Sequence, residues 1–145
     1  MSRRSAHWLV FVLAVVPSLL AVSCAKNSQE TSTPSGVSVR SVDLGRSVTE
    51  DKRVADKTDA FNASDIIYAS VITEGSASSA VVKARWTYQD GQVVNETEQT
   101  IAPTGETATE FHVSKPDGWP AGKYKLEVFL DGNPVQSREF EVKQG

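Results

Sequence analysis

One cysteine and two histidines are all that 145 residues contain of the residues that most often hold metals or build disulfides. A single thiol cannot form an internal disulfide framework or a Cys-rich zinc site. Six prolines and nine glycines are too few for a collagen-like or low-complexity chain. There is no basic surplus either. Lys and Arg total 15 against 18 Asp and Glu, a net charge of −3, which excludes the electrostatic footprint of a nucleic-acid binder. No G-x-S-x-G elbow and no D-x-D-x-D-G calcium loop occurs. Beyond residue 24 no segment keeps an apolar 3.6-residue repeat. What is present is a chain 39% apolar and 23% charged, of a length that suits one domain with appendages.

The first appendage is the N-terminus. Arg3 and Arg4 precede the apolar run Trp8–Val22, which ends in Ala21-Val22-Ser23-Cys24. A membrane-spanning helix needs about 20 apolar residues, so this run is short for that role. A basic start, a short apolar run and small residues at its end read as a secretory signal peptide over residues 1–23. The lone cysteine stands at that cut. Leu19-Leu20-Ala21-Val22-Ser23-Cys24 resembles the lipobox of bacterial lipoproteins, although that family prefers Leu three residues before the cysteine, where this chain has Ala21.

The resemblance implies that Cys24 becomes the first residue and carries acyl chains, palmitate among them. The membrane is then a partner through lipid alone. Buried acyl chains contribute about 0.8 kcal/mol per CH₂, and several of them anchor a protein without a spanning helix. Ala25 in place of Asp after the cysteine implies the outer membrane, facing the periplasm or the cell surface. Two other readings stand beside this one: an ordinary A-x-A-like cleavage at Ala21 and Ser23 with a free thiol, or an uncleaved anchor. Loss of residues 1–23 removes Arg3, Arg4 and no acid, leaving 13 basic against 18 acidic side chains, a net charge of −5.

Residues 24–36 continue as a tether. Ala25–Gly36 (AKNSQETSTPSG) holds no large apolar side chain and cannot bury enough surface to offset its ordering entropy. From Val37 the pattern turns to period two. Val37, Val39, Val42 and Leu44 suggest a strand with a bulge near Arg40-Ser41. Val48 and Val54 suit a small hairpin, or the region 45–60 is a long loop. Residues 65–73 are apolar on both faces, as in a central strand. Ala80–Gln89 alternates throughout, Asp90-Gly91 is a strong hairpin signal, and Gln92–Ile101 returns. Residues 107–114, 124–130 and 135–142 complete about seven strands, with turn chemistry at Lys115–Gly122 and Asp131–Pro134.

Short strands with turns every 8–12 residues or so indicate an all-β antiparallel sandwich over residues 37–145. Trp86 on the third strong strand and Tyr124 after a glycine turn make it similar to immunoglobulin-like and fibronectin-type domains of bacterial surface lipoproteins. In those folds such residues mark the core and a tyrosine corner. The disulfide that often accompanies the tryptophan is absent.

Chemistry is scarce. His112 alternates out of phase with Phe111 and Val113 and reads as solvent-facing. Glu96 and Glu98 read as a solvated outer strand face that also protects a sheet edge. Asn62-Ala63-Ser64 and Asn95-Glu96-Thr97 match a glycosylation sequon, which in a lipobox-bearing bacterial protein reads as coincidence. No catalytic residue, metal site or cofactor is expected, and the chain does not read as an enzyme. Trp119, between Gly118 and Pro120, is the candidate binding residue: it is either exposed for stacking or a plug over the end of the sandwich. The expectation is a lipid-anchored structural or interaction module of the cell envelope, with an envelope protein or a polysaccharide as partner. The alternative is a polysaccharide-binding or protease-inhibitor-like sandwich using Trp119 or the loop Lys115–Gly122.

Overall fold

The computed structural model describes residues 36–145, and the expected signal peptide, Cys24 and most of the expected tether lie outside the described residues. Eight strands form two sheets, with no helix among the described residues. They are β1 (Val37–Gly45), β2 (Ala60–Asn62), β3 (Ile67–Gly75), β4 (Ala80–Tyr88), β5 (Gln92–Ile101), β6 (Thr107–Val113), β7 (Gly122–Leu130) and β8 (Asn133–Lys143). One sheet has the order β1-β3-β6 and the other β2-β8-β7-β4-β5. All neighbours are antiparallel except β2, which runs parallel to β8. The fold is an immunoglobulin-like β-sandwich. The strand not expected from the sequence is β2: three residues are too short to show an alternation.

Period-two burial builds the core. Ala80, Val82, Ala84 and Trp86 of β4 face Tyr124, Leu126, Val128 and Leu130 of the adjacent β7 on the inner side of the five-stranded sheet, all buried. Ile67, Ala69 and Val71 of β3, with Phe111 and Val113 of β6, supply the opposing layer. Trp86 is 1% exposed and meets Phe140 edge-on at 5.9 Å. Hydrophobic packing, with no disulfide, joins the two sheets.

β1 carries its irregularity between Val39 and Ser41. The segment after it is ordered as a small excursion. Val48 bridges Val54, and Thr49 N–H donates to Arg53 O at 2.8 Å. The excursion folds back on the outer face of the three-stranded sheet. Ser70 Oγ there donates to Lys52 O at 2.7 Å, and Lys57 pairs with Asp43 at 3.0 Å. Gly45 permits this return, since a Cβ at that position would lie 2.2 Å from Asp56 O and 2.3 Å from Val54 Cγ1. The cover explains why β3 is buried on both faces, with Ser70 and Ile72 shielded opposite the core.

Candidate functional site

The end of the sandwich that holds the β6–β7 connection gathers most of the aromatic side chains. Lys115-Pro116-Asp117-Gly118 makes a tight turn, closed by Gly118 N–H to Lys115 O at 2.9 Å with Gly118 at φ 83°. The turn drives Trp119 inward. Its backbone N–H donates to Ala63 O at 2.7 Å, and its indole Nε1–H donates to Asp65 O at 2.9 Å. The ring is 5% exposed and stands edge-on to Tyr124 at 5.9 Å. Trp119 is thus a plug, and neither ring face is free to stack on a ligand.

Tyr124 follows at the start of β7. Its hydroxyl donates to Pro120 O at 2.7 Å, the bond of a tyrosine corner. Its ring stacks on Phe140 at 5.3 Å and lies against Tyr88 at 4.6 Å. Burial, with Tyr88 beside it, pushes the Tyr124 hydroxyl up to about 12. Tyr88 is half-buried and donates its hydroxyl to Ala121 O at 2.9 Å. Three of these hydrogen bonds pin residues 118–124 to the body of the domain, and the Tyr124–Pro120 bond braces the segment from within. That geometry leaves the loop Lys115–Gly122 without the free extended segment a protease-inhibitor loop presents.

Beside this cluster lies a hollow of about 290 Å³, lined among others by Tyr88, Val93, Val94, Lys115, Trp119 and Pro120. Val93 and Val94 are exposed, at 55% and 38%, and belong to the edge strand β5. A second hollow of about 390 Å³ lies further along the same flank, between β5 and β6, lined by Lys52, Thr97, Gln99, Glu110, Phe111 and His112. Sequence reasoning centred on Trp119 and missed this flank. Glu96 and Glu98 pointed to an outer, edge-protecting strand face, but no binding surface was drawn from them, nor from the polar run Asn95–Thr100.

The remaining candidates are dispersed. His112 is exposed, and its Nδ1 lies 2.9 Å from Glu110 Oε1. Ser70, opposite Glu110 in register, spends its hydroxyl on Lys52 O beneath the excursion. Glu96 lies on the outer face, held by Arg85 at 2.6 Å and Lys83 at 3.6 Å. A hydrogen bond from Arg85 keeps its carboxyl below the usual range. Asp65 accepts Asn62 N–H at 2.8 Å and Arg46 Nε–H at 3.0 Å, which lower its pKa in that order. No group of three or more metal-ligating side chains occurs among the described residues. Cys24, the lipidation candidate, lies outside them.

No protein-family model and no curated protein matches the chain. Solved structures do. An immunoglobulin-like protein from Pseudomonas aeruginosa is similar at TM-score 0.51 and 13% identity, over 74% of this chain and 96% of that one. The C-terminal domain of wzt is similar at 0.52 and 11%, over 77% and 75%. A β-glucosidase from Erythrobacter marinus reaches 0.54 at 8% identity, but the match spans only 16% of the enzyme. At these identities the likeness is one of fold. It agrees with an immunoglobulin-like β-sandwich fold for the described residues.

Proposed function

We propose that the chain is a lipid-anchored, non-catalytic interaction module of the bacterial envelope, fixed to a membrane through Cys24 and holding a protein partner. The observation that carries the reading is the pairing of two features. A basic-then-apolar N-terminus ends at the lone cysteine, and a compact immunoglobulin-like sandwich follows a polar tether. Sandwich folds host many functions, so the function rests on surfaces rather than on the fold. Here the surfaces are edges and end loops, as peptide- and protein-binding sandwiches use them. A polysaccharide reading needs free aromatic faces, and Trp119 spends its ring on closing the domain.

The test is fractionation of host cells producing the wild-type chain or Cys24→Ala. The reading expects wild type in the membrane fraction through a carbonate wash and released by detergent, with Cys24→Ala in the soluble fraction. Wild type in the soluble fraction, or Cys24→Ala retained through carbonate, overturns it.

A further inference from the structure

We propose that the free edge of β5 docks an extended, basic segment of a partner protein, which joins the five-stranded sheet as a further strand. The proposal deepens the interaction-module reading and rests on it. A two-sheet sandwich has four edges, and exposed edges attract other strands unless they are blunted. Of the other three, two have backbone carbonyls capped by side chains of a neighbouring strand, and one is short. The backbone of β1 is covered from β8: Arg138 Nε donates to Val42 O at 2.7 Å, and Gln136 Nε2 reaches Val39 O and Arg40 O at 3.4 Å. β2 is only three residues long. β6 has its Glu110 carbonyl taken by Gln99 Nε2 at 2.6 Å.

The fourth edge is different. β5 runs for ten residues and contains no proline, lysine or arginine. It is blunted by the irregularity in its pairing with β4, where Val94 has no partner, and by Glu96 and Glu98, which repel acidic strands but not basic ones. Both hollows described above open along it, one at Val93 and Val94 and one at Thr97 and Gln99. Side chains of an added strand that point toward the sandwich would lie over these hollows, with the apolar one at the Val93 end.

The solvent face sets the charge of the occupant. Glu96 and Glu98 project there, opposite Arg85 and Lys83 in register. Arg85 and Lys83 both engage Glu96, and Glu98 makes no ion pair among the described residues. A strand laid beside β5 brings its own outward side chains next to Glu98, the carboxylate left without an ion pair among the described residues. Basic residues at alternate positions gain there, and acidic ones are repelled. The same argument disfavours a second copy of this chain, since self-pairing of β5 puts both Glu96–Glu98 pairs on one face of the joint.

The probe is a capped decapeptide of alternating valine and lysine, with its valine–glutamate counterpart as control. Each is added at millimolar concentration to the full chain in detergent micelles, and amide hydrogen exchange is followed by mass spectrometry. The lysine peptide is expected to slow exchange over Gln92–Ile101 by about tenfold or more, and the glutamate peptide to leave it unchanged. Glu98→Lys should reverse that preference. Glu98→Gln, which introduces no repulsion with Lys83, should weaken the lysine peptide if the reversed variant folds poorly. The proposal is overturned by no slowing in β5 with either peptide, by equal slowing with both, or by slowing confined to other strands. Slowing that follows protein concentration without peptide also overturns it, in favour of a second copy. The exchange experiment needs no bilayer, so its failure leaves anchoring through Cys24 standing, and the failure of anchoring leaves its result standing.

Discussion

Removing the Trp119 side chain should cost the domain a large share of its stability. The indole is 5% exposed, packs edge-on against Tyr124 and donates to Asp65 O. Trp119→Ala loses the transfer free energy of the ring and leaves a cavity, about 3–5 kcal/mol in well-packed sites. It also strands the Asp65 carbonyl, although water at the end of the sandwich can repair part of that loss. Trp119→Phe separates the two effects: most of the ring volume remains and the N–H is gone, so about 1–2 kcal/mol is expected. Domains of this size have about 5–15 kcal/mol in total. Urea unfolding of the chain and both variants by far-ultraviolet circular dichroism reads these differences as midpoint shifts at constant slope. A Trp119→Ala variant within about 0.5 kcal/mol of wild type, the range of ordinary surface substitutions, would refute the plug and return Trp119 to the candidates for ligand stacking.

Other outcomes follow from single groups. Thr109 is 2% exposed and its hydroxyl has no partner, so Thr109→Val should stabilise by about 1 kcal/mol in the same urea assay; a loss of that size would reveal a bound water instead. Tyr124 ionises near 12 in the folded chain and near 10 when unfolded. The unfolded state therefore sheds its proton first, so stability is intact below pH 10 and falls by about 2 kcal/mol as pH rises toward 12. Tyr124→Phe should flatten that segment of the stability–pH curve. The Asp65 carboxyl is lowered by Asn62 N–H and then Arg46, so its contribution is present above pH 4 and lost as pH falls below it. Asp65→Asn should remove that part of the acid limb.

Much of the fold is written locally. Alternation from Ala80 and the Asp90-Gly91 turn mark β4 and β5 within a residue of their observed ends. The β1 irregularity falls at Arg40-Ser41 because apolar spacing changes there from Val39 to Val42. Val48 and Val54 pair, but nothing local says that the excursion covers Ser70, because that contact joins segments 18 residues apart. β2 escapes for a related reason: Ala60–Asn62 is a strand only because β8 lies beside it. Trp119 supports two readings until its partners are known, and these, Ala63 and Asp65, lie more than 50 residues upstream. The edge position of β5 was legible from Glu96 and Glu98, whose like charges suit a sheet edge, and the polar run Asn95–Thr100 on both faces carries the same signal.

The proposed function depends most on Cys24, because an anchor there would determine where the domain meets a partner. Intact mass of the chain extracted with detergent from membranes of its own host tests this directly. The account predicts a polypeptide beginning at Cys24, with diacylglyceryl and acyl mass added and residues 1–23 absent. An unmodified thiol at Cys24, or a chain that retains residues 1–23, would contradict it.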